Sequence, residues 1–240
     1  MTTNRLDRLN LDALRAGAFG RLPYPLQQLL LDAARPRQVP ARTRLFEQGV
    51  AADAWYGVVA GAVCLSMPLV DGRTMTLEVA GPGDFFGEPG RAPGQRSPQQ
   101  HDAQTIGPTT LLVLDGEDFR RLMQAEPAFG AFVTQMLAAR LHAAHRAATQ
   151  LVEASLETRV ARKLHDLGHR FGVRVDDEIR INLPIIQRDV AEMVGASRQR
   201  VNVAVQALIR RGVLRLEART RSIFLCESFL GASKPLLSRG

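Results

Sequence analysis

Between residues 20 and 125 the apolar positions come in short runs broken by glycine, aspartate and proline, whereas from 127 to 170 those breakers almost vanish. The first regime is that of strands and tight turns, the second that of helices. Trp55-Tyr-Gly-Val-Val59, Gly61-Ala-Val-Cys-Leu-Ser66, Thr74-Met-Thr-Leu-Glu-Val79 and Thr110-Leu-Leu-Val-Leu114 read as strands, with turns at Val70-Asp-Gly-Arg73 and Gly81-Pro-Gly-Asp84. Many short strands with frequent turn signals predict a sandwich or jelly roll. The Pro-, Gly-, Arg- and Gln-rich stretch 90–100 reads as a loop inserted in that sheet.

Glu117 to Glu126 predicts a short helix, and Pro127 suits the first turn of a much longer one. Along the latter, Phe132, Met136, Ala139, Ala143 and Ala147 recur at spacings of three and four, a stripe expected to form a parallel dimer seam. A further helix over 156–170 places Val160, Leu164 and Leu167 on one face, and Glu178-Ile-Arg-Ile-Asn182 reads as a strand. The resulting organisation is α+β: a β-rich part over 1–126, a long helix and hinge over 127–155, and a compact C-terminal part over 156–240.

Within the last part, Gln187 to Gln206 carries two short helical patterns that meet at Gly195. Ala191, Val194, Val201 and Ala204 can form the surface where the two helices cross, and Gly195 accommodates the positive φ of a tight interhelical turn. Ser197 is a good N-cap for the second helix and is followed at once by Arg198, Gln199 and Arg200. This is the pattern of a helix-turn-helix whose second helix reads base edges. Gly212-Val-Leu-Arg-Leu216 and Arg221-Ser-Ile-Phe-Leu225 follow as a two-stranded wing.

Charge sharpens this picture. The chain carries a formal +7, but residues 158–240 hold 16 Lys/Arg against 8 Asp/Glu, while residues 1–157 hold 15 against 16. The positive excess therefore sits with the helix-turn-helix, where a polyanionic partner is expected. Two isolated cysteines, Cys64 and Cys226, give neither a disulfide framework nor a thiolate cluster, and no metal site is expected. The start of the chain lacks the apolar run of a signal peptide and no span reaches transmembrane length, so a cytoplasmic, membrane-free protein is expected. No His-Glu-x-x-His, phosphate-binding glycine motif or Gly-x-Ser-x-Gly occurs, which argues against an enzyme.

With these parts in this order, the chain resembles the Crp/Fnr family of bacterial transcription regulators over roughly residues 20 to 228. The likeness rests on Leu45-Phe-Glu-Gln-Gly49, Ala52-Asp-Ala-Trp-Tyr56, Gly61-Ala-Val, Asp71-Gly-Arg, Gly83-Asp-Phe-Phe-Gly-Glu88 and Val190-Ala-Glu-Met-Val-Gly-Ala-Ser-Arg-Gln-Arg-Val201. It implies an N-terminal double-stranded β-helix (a jelly roll or β-roll) of cyclic-nucleotide-binding type, a long dimerisation helix and a C-terminal winged helix-turn-helix. It also implies a homodimer that contacts RNA polymerase from its operator.

The resemblance places Gly87 and Glu88 in the phosphate-binding cassette, where the glutamate of cyclic-AMP sensors meets the ribose. The Arg-Ser pair that those sensors use for the cyclic phosphate is matched to His101-Asp102, and the Thr-Ser pair of the long helix to Ala144-His145. An aspartate beside a buried anion is unfavourable. The expectation is that cyclic AMP is not bound in the sensors' usual way, with Arg91 or Arg96 available to supply charge. No cofactor is expected and the effector is left open, with cyclic nucleotides, cyclic di-GMP and haem as alternatives.

An inverted-repeat operator in double-stranded DNA is expected, read by helix 197–210. Arg198 is assigned to guanine, Gln199 to adenine or the backbone, Asn202 to a base or phosphate, and Val203, where relatives often carry arginine, to a thymine methyl. Ser197 is expected at a phosphate, as are Arg188, Arg200, Arg210, Arg211, Arg219 and Arg221. Ile186 stands where relatives carry a Thr or Ser cap, so the first helix of the pair is expected to lack that cap.

Overall fold

The computed structural model describes residues 11–89, 97–153, 155–217 and 222–231. Arg91, Arg96, Arg219 and Arg221 lie outside the described residues. The chain divides into two compact units, Met1–Met67 with Glu78–Ala144 and Pro68–Leu77 with His145–Gly240.

Two short helices, α1 (Asp12–Ala16) and α2 (Tyr24–Ala33), flank a 3-10 turn at Ala18–Arg21. Ten strands follow: β1 (Arg35–Val39), β2 (Arg44–Phe46), β3 (Ala51–Ala52), β4 (Ala54–Ala60), β5 (Val63–Pro68), β6 (Thr74–Ala80), β7 (Phe85–Phe86), β8 (Ser97–Pro98), β9 (Asp102–Thr105) and β10 (Thr109–Asp115). Then come α3 (Gly116–Ala125) and the long α4 (Pro127–Glu153). One sheet has the order β1-β10-β4-β7 and the other β2-β9-β5-β6, with β3 and β8 paired apart.

Alternation along the strands explains the layering. Tyr56 and Val58 of β4 and Leu111 of β10 join Phe46, Leu65 and Ala103 of the second sheet in one core. Their neighbours Trp55, Val59, Leu112 and Leu114 point the other way and pack with Leu26 and Leu30 of α2, Leu122 of α3 and Phe129, Phe132 and Val133 of α4. The first sheet is thus buried on both faces, which accounts for the continuous apolar runs at 55–59 and 110–114.

The four strands read from the sequence correspond to β4, β5, β6 and β10, and the helices at 117–126 and 127 onward to α3 and α4. A correction concerns α4. Phe132 belongs to the core of its own chain and Met136 packs against it. The stripe beginning at these two residues, and continued by the exposed Ala139 and Ala143, therefore starts on the face that α4 turns to its own sheet. A different exposed stripe runs through Thr134, Leu137, Leu141, Ala144 and Ala148 at alternating spacings of three and four. Leu137 and Leu141 are 55% and 56% exposed.

The C-terminal part comprises α5 (Leu156–Phe171), β11 (Gly172–Val175), β12 (Glu178–Ile181), α6 (Gln187–Val194), α7 (Arg198–Arg210), β13 (Leu214–Leu216), β14 (Ile223–Cys226) and α8 (Glu227–Gly231). Ser155 caps α5 by accepting from the Thr158 N–H, and Val160, Leu164 and Leu167 are buried as their spacing predicts. The sheet has the order β11-β12-β14-β13, with Leu214 opposite Leu225 and Leu216 opposite Ile223 in the wing. β11 was not foreseen, because its residues are all exposed and give no burial alternation.

Candidate functional site

The helix-turn-helix is built at Gly195. Its φ of 64° lies in the left-handed region, and its N–H closes α6 on the Ala191 carbonyl. A Cβ there would meet nothing within 4 Å, so the requirement for glycine is conformational rather than steric. Two residues later Ser197 Oγ accepts from the Arg200 N–H at 3.4 Å and starts α7.

Burial then divides α7 by face. Val201, Ala204, Val205 and Leu208 are buried. Ser197, Arg198, Gln199, Arg200, Asn202, Val203, Gln206 and Arg210 are exposed. Gln199, Asn202, Val203, Gln206 and Arg210 fall at helical spacings of three and four, on one outward face. Val203 is 64% exposed, an unusual position for an aliphatic side chain that has no partner surface within its own unit.

Three side chains are less available than the sequence implies. Arg211, just beyond α7, is ion-paired with Glu157 of α5 at 2.8 Å. Arg188 lies 3.7 Å from Glu192 one turn along α6. The Asn202 carboxamide oxygen accepts from Gln187 Nε2 at 3.1 Å, a bond that ties the two helices and that sequence reading did not anticipate.

The missing cap at Ile186 is partly compensated. Its side chain makes no capping bond, but the carboxylate of Asp189 accepts from the Ile186 N–H at 2.8 Å. This is the reciprocal half of a capping box, supplied from the third helical residue.

The second cluster surrounds Glu88 in the β-roll. β7 pairs with β4 and ends at Gly87, whose φ is 107°. A Cβ at Gly87 would stand 2.6 Å from the Ala54 carbonyl oxygen, so both conformation and space demand glycine. Burial raises the Glu88 carboxyl above its ordinary pKa, while the Gln100 backbone N–H and the positive charge of Arg140 pull it back. His101 Nδ1 is 3.7 Å from Glu88 Oε1. Its imidazole packs edge-on against Phe46, and its Nε2 is buried without a hydrogen-bond partner among the described residues. Burial first, then Arg140, lowers the His101 pKa below its ordinary value, opposed by Asp102.

Arg140 is the side chain of this cluster that the sequence reading missed. It projects from α4, with Nε 3.1 Å from Glu78 and Nη2 2.5 Å from the Phe85 carbonyl. Its position one turn before Ala144 on the same helix was the available signal.

Asp102 does not behave as a phosphate-reading position should. Its Oδ1 accepts from the Gln48 N–H at 2.7 Å, so the carboxylate is committed to the backbone of the loop after β2. Ala144 and His145 are exposed on α4. Among the described residues no three of His, Cys, Asp and Glu gather closely enough to hold a metal ion, and no helix is long and apolar enough to cross a membrane.

A β-roll carrying a glutamate beside a positive-φ glycine, followed by a long helix and a winged helix-turn-helix, defines a class of DNA-binding transcription regulator. The Cyclic nucleotide-binding domain family matches residues 36–126 and the Crp-like helix-turn-helix domain family residues 158–227. The chain is 30% identical over 219 residues to the CRP-like cAMP-activated global transcriptional regulator of Mycobacterium tuberculosis, covering 89% of this chain and 94% of that one. It is also 30% identical to the Cyclic AMP receptor protein of Thermus thermophilus, over 78% of this chain and 83% of that one. Among solved structures, the c-di-GMP responsive regulator CLP of Xanthomonas campestris superposes with a TM-score of 0.71 at 23% identity, covering 85% of this chain and 99% of that one. The chain belongs to the Crp/Fnr family of transcription regulators, which are not enzymes.

Proposed function

We propose that this protein acts as a homodimer that reads an inverted-repeat operator with α7 and regulates transcription through contact with RNA polymerase in the cytoplasm. The carrying observation is the outward face of α7, where Arg198, Gln199, Asn202, Val203 and Arg210 project beyond a glycine turn. Two-fold symmetry would place the paired helices about one turn of DNA apart. The dimer seam runs along Thr134, Leu137, Leu141, Ala144 and Ala148, the heptad-spaced stripe that α4 leaves exposed. In this reading residues 1–126 sense, 127–155 dimerise and 156–240 bind DNA. Selection of bound fragments from a random duplex pool tests it, and recovery of sequences without a repeated half-site counts against it.

A second reading concerns the effector and revises the expectation against cyclic AMP. The argument against a buried phosphate rested on Asp102, and that carboxylate is bonded to the Gln48 backbone. An Arg-Ser pair does occur in the chain, at Arg96-Ser97, just ahead of the segment that leads to His101. A cyclic nucleotide with its ribose at Glu88 and its phosphate at Arg96-Ser97 fits this chemistry. The names of the relatives from Mycobacterium tuberculosis and Thermus thermophilus favour cyclic AMP within that class. Calorimetry with cyclic AMP, cyclic GMP and cyclic di-GMP separates these ligands. Micromolar binding of cyclic AMP abolished by Arg96→Ala supports the assignment, and binding unchanged by that substitution refutes it.

A further inference from the structure

Gln187 opens α6 and Asn202 lies in the second turn of α7, so neither is held near the other by sequence. The turn at Gly195 brings them together, and Gln187 Nε2 donates to Asn202 Oδ1 at 3.1 Å. Asn202 is exposed beside Val203, and Gln187 is partly exposed.

A carboxamide has one oxygen acceptor and two N–H donors. To read adenine it needs both, the oxygen accepting from N6 and the nitrogen donating to N7. In this protein the bond from Gln187 takes one lone pair of the Asn202 oxygen and turns that oxygen toward α6, which leaves the amide nitrogen as the edge Asn202 presents away from Gln187. The next residue, Val203, presents a bare aliphatic surface. A donor beside an aliphatic group complements thymine, whose major-groove edge carries the O4 acceptor next to the C5 methyl.

Resting on the DNA-reading function proposed above, we propose that Gln187 is a positioning residue that turns Asn202 into a single-donor reader, so that Asn202 and Val203 together select thymine at one operator position. Gln187 itself need not touch a base. Its effect is to remove the alternative amide orientation that would let Asn202 accept adenine.

The test is binding-site selection followed by titration of the selected duplexes, using the full-length wild type and the Gln187→Ala, Asn202→Ala, Val203→Ala and Gln187→Ala/Asn202→Ala variants. Wild type is expected to discriminate thymine from the other bases at one half-site position by about ten-fold, within the range of a single mismatch. Gln187→Ala is expected to retain affinity for the thymine site within a few-fold while raising affinity for adenine there. Asn202→Ala is expected to flatten the preference, and the double variant to match it, because Gln187 acts only through Asn202. A purely structural role for Gln187 would weaken every sequence equally. A wild-type adenine preference at that position, or a base preference unchanged in Gln187→Ala, overturns the inference while leaving the DNA-reading function standing. Selection of no repeated half-site by wild type overturns both.

Discussion

Arg140, midway along α4, donates to the main-chain oxygen of Phe85 on β7 at 2.5 Å, two residues ahead of the Gly87-Glu88 turn. The Phe85 ring stacks on Trp55, with centroids 4.5 Å apart, and Trp55 meets Phe129 and Phe132 of α4 edge-on. The strand that leads into the Gly87-Glu88 turn is therefore held to the long helix twice, once by a charge-assisted hydrogen bond and once by an aromatic cluster. Displacement of Glu88 has a direct mechanical route to α4.

Replacing Arg140 with alanine removes the bond to Phe85 and strands Glu78. A hydrogen bond from a charged donor contributes about 1.5–3 kcal/mol, and partial exposure of both ion-pair partners places the loss at the lower end. Because Trp55 is the one tryptophan, its fluorescence reports unfolding of this unit directly. Arg140→Ala is expected to lower the unfolding free energy by this amount, and Arg140→Lys to recover little of it, since an ammonium lacks the planar fork that reaches Glu78 and Phe85 together. Full recovery by lysine would show that charge alone matters here.

Acid sensitivity should be traceable to His101. Burial and Arg140 hold its folded pKa below the ordinary value of 6.5, so the unfolded chain takes up its proton first as pH falls. The stabilisation is present above the unfolded pKa and is lost as pH drops toward the folded one. Glu88 has the opposite sign, because its raised folded pKa lets the native state take up its proton first above 4.5. Comparing wild type with His101→Gln leaves Glu88 in both proteins. The loss of thermal stability between about pH 7.5 and pH 5.5 should be smaller in His101→Gln, a window that brackets the ordinary histidine pKa. Equal losses would show that His101 titrates alike in the folded and unfolded states.

The sequence revealed the layering more fully than the contacts. Runs such as Thr110–Leu114 announced buried strands because both faces of the first sheet are covered, and Gly195 with Ser197 announced the interhelical turn because each satisfies a local backbone requirement. Phe132 and Met136 share the spacing of a seam, while their burial depends on tertiary contacts with Trp55, Phe85, Leu112 and Leu114 that no local pattern announces. The surroundings of Asp102 were hidden from the sequence for a related reason. Its register is fixed by β9 pairing with β2 and β5, and the bond to Gln48 spans 54 residues. Gln187 with Asn202, and Arg140 with Phe85, are likewise tertiary facts with no local signature.

The two stripes on α4 make opposite predictions. Leu137 and Leu141 are more than half exposed, so Leu137→Asp/Leu141→Asp should leave the folded unit intact and shift sedimentation to that of a monomer. Phe132 is buried among Trp55, Phe85 and Phe129, and its replacement by alanine should cost about 3–5 kcal/mol of stability. If the double aspartate variant sediments as wild type, the seam lies elsewhere.

Base reading and charge neutralisation on α7 should separate in the salt dependence of binding. Arg198 follows the Ser197 cap at the N-terminal end of α7, where recognition helices approach base edges, and its guanidinium matches the O6 and N7 of guanine. Arg210 closes the helix, three turns away, where contact with the backbone is the geometric expectation. Arg198→Ala should therefore cost about 1–3 kcal/mol on the preferred operator and far less on a sequence altered at the guanine, which narrows discrimination. Arg210→Ala should weaken both sequences alike and reduce the slope of log K against log salt by about 0.9, the increment for one phosphate contact. Arg211→Ala provides the internal comparison. Its ion pair with Glu157 already satisfies the guanidinium, so its substitution should change the slope by much less than that of Arg210. Titrations of both duplexes from about 50 to 200 mM salt resolve the three cases. A slope lowered equally by Arg210→Ala and Arg211→Ala would mean that the Glu157 pair opens on binding and that both arginines reach the backbone.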